Sequence, residues 1–294
     1  MKKIFTLIII SAFLLSCKKD KKKDVLIRPK NVSTTIAQGL DIKDIEFDPN
    51  GDLYILTNNS VKKLSNGNLT TLSLPDTVFS MLKTPDEETD LGYPKEIAID
   101  KTGIIYLGSN SGVRIIFKNN SFITGGREYI GWTVDGLNDL VVDKNDRPYF
   151  SGVNNPLTRF DVSGVIPLSA DTISILHCVD ICASGIFFGG SDRGIVRMVL
   201  GVTDDFLIPT FLGNPNNLLK EGPVDEVIIG KVYQIEVSSD GNLIYFIEDG
   251  KLKELKKGIV KIIMPLANTV KIALSNDNKK LYYAENNDLK VLEL

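Results

Sequence analysis

The chain contains one unit that recurs six times. Each copy has an alternating apolar strand, a tight turn rich in Asp, Asn and Gly, and a second strand with an aromatic residue. The copies are 45–55, 97–107, 140–150, 181–188, 235–245 and 272–282. Their aromatic residues are Tyr54, Tyr106, Tyr149, Phe188, Tyr245 and Tyr282. The fourth copy is abbreviated, and we predict a shortened turn there.

The size of this unit predicts the fold. Most copies continue with a third strand after a short polar loop, as at 60–64 and 112–117. Closely spaced strands with no amphipathic helical stretch indicate an all-β protein, and a repeat of about 40–50 residues with four strands is the size of a propeller blade. We predict an all-β, six-bladed β-propeller, with five or seven blades as the alternatives.

The segment before the first copy predicts how the ring closes. The sixth copy ends at Leu294 after its third strand, whereas residues 32–37 read as a strand with no partner of their own. If this N-terminal strand completes the last blade, the ring closes and no sheet edge remains open. We therefore expect the propeller to span 31–294.

The N-terminus has the pattern of an export signal. Met1-Lys2-Lys3 precedes an apolar run over 4–15, which is shorter than the roughly 20 residues of a membrane-spanning helix. A signal peptide over 1–16 is the prediction, and a buried N-terminal helix is the alternative. Leu14-Leu15-Ser16-Cys17 resembles the lipobox of bacterial lipoproteins. This resemblance implies a lipid on Cys17 and an anchor in the bacterial cell envelope.

The residues that follow predict a tether. Segment 17–30 is dominated by lysine and cannot bury apolar surface, so we expect a flexible, solvated linker. Lys18, directly after Cys17, resembles sequences sent on to the outer membrane, so we expect the chain there, facing either the periplasm or the cell surface.

Charge is distributed unevenly along the chain. Of 34 basic and 37 acidic residues, nine basic and two acidic ones precede residue 31, which leaves 25 against 35 in the body. A body with this negative balance argues against nucleic-acid binding, which needs a basic face. We expect a monomeric body.

Two repeat families resemble parts of this chain. The stretch 221–245, ending in Asp240-Gly241-Asn242-Leu243, resembles an NHL repeat, although Tyr233-Gln234 stands where that family has proline and glycine. The second copy, through 106–113, is similar to the repeats of two-component-regulator propellers. Both resemblances imply a propeller fold.

A third resemblance implies chemistry. Asn138-Asp139-Leu140-Val141-Val142-Asp143 with Arg147 resembles the senescence-marker/gluconolactonase family of six-bladed, metal-dependent lactonases. The resemblance makes Asn138 a counterpart of a substrate-contacting asparagine. Gly136 stands where that family has a substrate-binding arginine, and Asp44 stands in the region where it has a metal-binding glutamate. Tyr233 or Gln234 stands where it has a second asparagine. Most of that family's site is therefore not matched.

One position of the repeat predicts a ring of polar residues at the channel mouth. Just before the apolar residue of each inner strand stand Asp44, Glu96, Asp139, Asp180, Gln234 and Lys271. Because the inner strands surround the propeller axis, these side chains and Asn138 form our candidate binding ring. One interpretation is a site for Ca²⁺ or another divalent ion, which takes oxygen ligands. The other is structural: side chains that bond to the backbone of neighbouring blades.

Other chemistry-bearing residues give weaker signals. His177 is the sole histidine, no nucleophilic serine accompanies it, and we interpret it as structural. Cys178 and Cys182 are interpreted as buried and unpaired. Trp132 is either a stacking platform or a packing residue.

Two inserts, 75–93 and 202–230, are the candidates for partner contact. Their apolar residues include Phe79, Met81, Phe206, Phe211 and Leu212.

These observations lead to two functional hypotheses. The first is a non-catalytic binding or interaction module that presents one face to a protein or glycan partner, without a required cofactor. The alternative is a metal-dependent hydrolase or lactonase that works at the channel mouth. Fold alone does not decide between them.

Overall fold

The computed structural model describes residues 32–74, 76–79, 82–83, 90–109, 112–118, 121–126, 136–152, 157–161, 164–168, 175–200, 207–213, 216 and 218–294. All of these residues belong to one compact unit, which spans 31–294. The predicted signal peptide, Cys17 and the tether lie outside the described residues, as do Met81, Trp132 and Phe206. Within the described part, no helix has the length and hydropathy needed to cross a membrane.

The body begins with β1 (Ser33–Ala37), and its first half then forms three four-stranded antiparallel blades. Blade 1 contains β2 (Ile42–Phe47), β3 (Leu53–Thr57), β4 (Val61–Ser65) and β5 (Asn68–Thr71). The first insert holds a 3-10 turn (Asp76–Phe79) and a small ribbon, β6 (Leu82–Lys83) and β7 (Asp90–Gly92). Blade 2 contains β8 (Glu96–Ile99), β9 (Ile105–Gly108), β10 (Gly112–Ile116) and β11 (Phe122–Gly126). Blade 3 contains β12 (Leu137–Val142), β13 (Pro148–Gly152), β14 (Leu157–Asp161) and β15 (Gly164–Leu168).

The second half repeats this arrangement. Blade 4 contains β16 (Cys178–Ile181), β17 (Phe187–Ser191), β18 (Gly194–Leu200) and β19 (Leu207–Leu212). Blade 5 contains β21 (Val232–Val237), β22 (Leu243–Glu248), β23 (Lys251–Lys256) and β24 (Ile259–Pro265), and gains a fifth strand, β20 (Gly222–Pro223), at its outer edge. Blade 6 contains β25 (Thr269–Leu274), β26 (Lys280–Glu285) and β27 (Asp288–Glu293).

The blades form a closed ring, which confirms the predicted six-bladed propeller. Each inner strand packs against the inner strand of the next blade, and β25 of blade 6 packs against β2 of blade 1. The sheet order β1-β27-β26-β25 shows that the N-terminal strand is the outer strand of blade 6. The predicted closure is therefore present.

The hydrophobic core lies between the blades rather than at one centre. Six clusters of buried side chains occur in the described residues, one between each pair of neighbouring blades. The second strands β3, β9, β13, β17 and β22 are buried along their whole length because both of their faces contact other blades. The ring is held together by these apolar interfaces, and its inner strands are free to carry polar side chains toward the axis.

A buried aspartate organises the turn between the first two strands in blades 1 to 3. Asp48 Oδ1 accepts the backbone N–H groups of Asn50 and Asp52 at 2.9 Å each. Asp100 and Asp143 make the same pair of bonds in their own blades. Short polar side chains that bond the backbone two residues on are typical of tight turns.

The turn of blade 4 corrects the prediction for the fourth copy. The Gly185 N–H donates to the Cys182 carbonyl at 2.9 Å, as Gly51 does to Asp48 at 3.0 Å in blade 1. Cys182 therefore occupies the aspartate position, and the turn has normal length. The prediction of a shortened turn was wrong because the cysteine concealed the alignment. Cys178 and Cys182 are both buried and unpaired, as predicted.

Candidate functional site

Four side chains from the inner strands of blades 1, 2, 3 and 6 meet near the axis. Three carboxylates, from Asp44, Glu96 and Asp139, surround the ammonium group of Lys271. Lys271 Nζ donates to Glu96 Oε2 and lies 3.4 Å from Asp44 Oδ1 and 3.8 Å from Asp139 Oδ1. The side chains are 6–13% exposed, so water screens these charges weakly. We call these four residues the upper level.

Two upper-level carboxylates also link neighbouring blades. Asp44 Oδ1 accepts the Ile45 N–H at 2.9 Å, and its Oδ2 accepts the Ile97 N–H of blade 2 at 2.7 Å. Asp139 repeats the arrangement, with its Oδ2 accepting the Val179 N–H of blade 4 at 3.0 Å. Each of these carboxylates therefore has both oxygens bonded to backbone and also faces the lysine.

The electrostatics of the upper level follow from burial and mutual proximity. Burial raises the pKa of Asp44 to about 6, although Lys271 opposes the shift. Burial also raises the pKa of Glu96 well above its usual range. Burial alone would lower the pKa of Lys271, but the three carboxylates raise it well above its ordinary value. Lys271 is therefore held as a cation.

Of the remaining predicted ring residues on the inner strands, Gln234 stands in the upper-level register and Asp180 does not. Strand pairing aligns Asp180 with Phe188, as Glu46 aligns with Tyr54 in blade 1. Asp180 therefore stands two residues nearer the turn than Asp44 does, and Cys178 occupies the upper-level register of blade 4. Gln234 has the same register as Asp44 in blade 5 and is buried.

Asn138 comes directly before Asp139 in the sequence, and its side chain forms a hydrogen bond with the backbone. Its Nδ2 donates to the Leu176 carbonyl at 2.8 Å in the link to blade 4. The resemblance to lactonases implied a substrate contact for this residue. The amide group that would make such a contact is used within the protein.

Three further carboxylates form a lower level, two residues nearer the turns. They belong to Glu46, Asp180 and Glu236, on the inner strands of blades 1, 4 and 5. Asp180 Oδ2 accepts the Val237 N–H of blade 5 at 2.5 Å, and Glu236 Oε2 accepts the Leu274 N–H of blade 6 at 2.9 Å. Glu46 and Glu236 do not stand at the single repeat position that predicted the ring, although strand alternation places residues i and i+2 on one face.

No basic side chain pairs with the lower level within the described residues. Burial raises the pKa of Asp180 to about 7. Burial and the nearby Asp180 raise the pKa values of Glu46 and Glu236 well above their ordinary range. A cavity of about 210 Å³ at the turn end of the axis is lined by Glu46, Asp180, Val141 and Asn276, among others.

The upper level does not fit the divalent metal that a lactonase site would hold. Oxygens of Asp44, Glu96 and Asp139 lie within 4.8 Å of one another, which alone would suit a cation with oxygen ligands. The Lys271 ammonium already lies among these oxygens, and two of the carboxylates are committed to backbone N–H groups. A divalent ion would have to share this small space with a buried positive charge.

His177 lies on the other side of the upper level from the turns, in a polar cluster between blades 4 and 5. Its Nε2 lies 2.8 Å from Asp192 Oδ1, and its ring stacks at 6.3 Å on that of Tyr233. Lys231 Nζ is 3.2 Å from the same Asp192 oxygen and 5.3 Å from the Tyr233 ring centroid. These contacts give His177 partners consistent with the structural role predicted for it.

The described parts of the two inserts contribute mainly to the core. Phe79, Phe211 and Leu212 are partly buried and pack against the clusters between blades. Among the residues of the second insert whose exposure the structure describes, the exposed large apolar ones are instead Leu218 and Leu219, at 89% and 47% exposure. The buried pair of Lys253 and Glu248, 2.5 Å apart, holds this insert, because Glu248 Oε1 accepts the Gly230 N–H at 2.7 Å.

Comparison with known proteins places the chain by fold alone. No protein-family model matches the sequence, and no curated protein matches it. Many solved structures share the fold, at low sequence identity. Identity at this level shows the architecture and nothing finer.

Three solved structures illustrate the range of similar proteins. An auxiliary nutrient binding protein from Bacteroides thetaiotaomicron has a TM-score of 0.65 at 13% identity, covering 87% of this chain and 69% of that chain. A gluconolactonase from Xanthomonas campestris has a TM-score of 0.64 at 10% identity, covering 90% of both chains. A virginiamycin B lyase from Staphylococcus aureus has a TM-score of 0.56 at 14% identity, covering 85% and 79%. Proteins named for binding and proteins named for catalysis thus share this fold.

Proposed function

We propose that this protein is an envelope lipoprotein whose propeller is a non-catalytic binding module for a protein or glycan partner. The lipobox-like Leu14-Leu15-Ser16-Cys17 supports export and lipid attachment at Cys17. The nutrient binding protein that is similar in structure supports a binding role for this fold. The charged segment 17–30 would connect the anchor to the body.

The observation that carries the non-catalytic part of this proposal is the position of Lys271. A metal-assisted hydrolase needs an ion with an open coordination position, where water or substrate is activated. In this chain a buried ammonium group lies among the three axial carboxylates. Because Lys271 forms a hydrogen bond and ion pairs with these carboxylates, the upper level acts as a structural link between blades.

The competing function is a metal-dependent lactonase of the gluconolactonase type. The fold shared with gluconolactonases favours it, as do the three converging carboxylates. Against it stand Lys271 and the engagement of Asn138 with the Leu176 carbonyl. The two functions make opposite predictions for turnover.

A lactone-hydrolysis assay on the purified full chain separates the two functions. We expect no turnover of D-glucono-1,5-lactone above the buffer rate with Ca²⁺, Mn²⁺, Mg²⁺ or Zn²⁺ added. A matched Asp139→Asn variant should give the same trace as the natural chain. Metal-dependent turnover that is lost in Asp139→Asn would establish the hydrolase and overturn the non-catalytic proposal.

A further inference from the structure

A cleft of about 500 Å³ lies between blades 1 and 2, on the face that carries the turns. Its walls include Tyr54 and Leu74 from blade 1 and Ile116 and Phe117 from blade 2. Small-molecule sites in proteins are typically concave, 300–1,000 Å³ in volume, and apolar with a few polar groups. The cleft falls within this range of volume, its lining combines apolar side chains with about as many polar ones, and it is separate from the axial residues described above.

Comparison with the equivalent cleft of the same ring shows why this one is open. The cleft between blades 3 and 4 measures about 220 Å³. There Arg147 bends back onto Asp143, with Nε and Nη2 at 2.8 and 2.7 Å from Oδ2, and its side chain lines the cleft. At the same position of the turn, blade 1 has the shorter Asp52. Asp52 does not reach the lining of the larger cleft, so no side chain equivalent to that of Arg147 fills it.

A second difference changes the charge of the cleft. Strand pairing aligns Ile105 with Ile116 and Phe187 with Met198, so Lys118 in blade 2 corresponds to Leu200 in blade 4. Lys118 is exposed and lines the larger cleft. It has no ion pair within the described residues.

The other charges of the cleft are already paired. Lys63 lies 2.7 Å from Asp52, and Lys101 lies 2.9 Å from Asp146. The Asp48 carboxylate accepts turn N–H groups and is nearly buried. The charge left for a ligand is therefore the ammonium group of Lys118. Asn50 and Thr102 add an amide and a hydroxyl group to the lining. Asn50 Nδ2 donates to Asp48 Oδ2 at 3.4 Å and Thr102 Oγ1 donates to Asp100 Oδ1 at 2.8 Å, so both residues can offer their oxygens to a ligand as acceptors.

We propose that this cleft binds a monosaccharide that carries one anionic group, either a carboxylate or a phosphate. The apolar walls suit the face of a sugar ring, Asn50 and Thr102 suit its hydroxyl groups, and Lys118 suits the anion. This inference rests on the proposed function as a binding module and names its ligand class.

The test is calorimetric titration of the full chain with D-glucuronate, D-glucose 6-phosphate and D-glucose at constant ionic strength. We expect at least one anion to bind, and D-glucose to bind at least ~10-fold more weakly, because it cannot form a charge-assisted hydrogen bond with Lys118. A preference between the two anions identifies the carboxylate or the phosphate as the favoured group.

Variants locate the binding. Lys118→Leu, which introduces the residue found at this position in blade 4, should weaken anion binding about 10-fold or more, to the level of D-glucose. Lys261→Leu removes an exposed lysine from blade 5 and should change nothing. Absence of binding by both anions, or binding unchanged in Lys118→Leu, would overturn the inference. The lactone-hydrolysis assay tests the non-catalytic function separately. A failure of anion binding would therefore overturn this inference and leave that result unchanged.

Discussion

Replacing Lys271 with methionine is expected to lower the free energy of unfolding by about 3–5 kcal/mol near neutral pH, the usual cost of removing one partner from a buried ion pair. Methionine keeps much of the side-chain volume and removes the charge. Asp44, Glu96 and Asp139 would then face one another without a cation, at a buried site that joins blades 1, 2, 3 and 6. Urea unfolding followed by circular dichroism measures the change.

Two further variants separate charge from packing. Lys43→Met removes a lysine next to Asp44 that is 37% exposed and pairs with Asp41 at 3.3 Å, and it should cost less than about 1 kcal/mol. Adding Glu96→Gln to Lys271→Met should recover part of the lost stability, since one uncompensated carboxylate is removed. An equal loss in Lys271→Met and Lys43→Met would show that the upper level is not held by its central cation.

The lower level should make the protein less stable as pH rises, and Glu46→Gln should remove part of this effect. The pKa of Asp180 is about 7 in the folded protein, against an ordinary value of 3.8, and that of Glu46 is also raised. A carboxyl group whose pKa is higher in the folded state keeps its proton longer when folded. Unfolding therefore releases protons, and the free energy of unfolding falls as pH rises from about 4 to about 7.

Glutamine at position 46 resembles a protonated glutamate in shape and carries no charge at any pH. Glu46→Gln should therefore raise the free energy of unfolding by ~1 kcal/mol or more at pH 8 and change it little at pH 4. Urea unfolding at several pH values measures both ends of this range. Glu293→Gln, at a carboxylate that is 62% exposed, is the matched control and should have no such pH dependence. A Glu46→Gln variant that is less stable at pH 8 than the natural chain would contradict the account.

The fold was predictable because local signals repeat. Each turn motif and its aromatic residue mark a blade, and the spare strand at 33–37 supplies the fourth strand that the sixth copy lacks. Copy four was misaligned because Cys182 stands where blades 1 to 3 have aspartate, and turn chemistry was the signal used for alignment. The true register was available from the pairing of Phe188 with Asp180, which sequence alone does not display.

The site was predictable only in part. Counting from the turn identified Asp44, Glu96, Asp139 and Lys271 as equivalent, and the ring closure brings them together. The role of Lys271 depends on its reaching across the axis from blade 6 to blades 1, 2 and 3, which no local pattern reveals. The cleft between blades 1 and 2 was not predicted, because its volume depends on which side chain fills the gap between two blades.

A propeller with this axis has consequences for function. Asp44, Asp139, Asp180 and Glu236 each bond the backbone of the following blade, and Lys271 joins three blades through charge. The axial polar residues thus act in assembly of the ring. Ligand binding is then expected on the faces of the propeller, where the cleft near Lys118 lies, rather than in the channel.

We propose that Lys271 takes the place of a metal ion, and a calcium titration of thermal stability tests this most directly. The melting temperature of the natural chain should not change between EDTA and millimolar Ca²⁺. That of Lys271→Ala should rise with Ca²⁺, because removal of the ammonium group leaves three oxygen donors within 4.8 Å of one another. A calcium-dependent rise in the natural chain that is lost in Asp139→Asn would contradict the claim and favour a metal site.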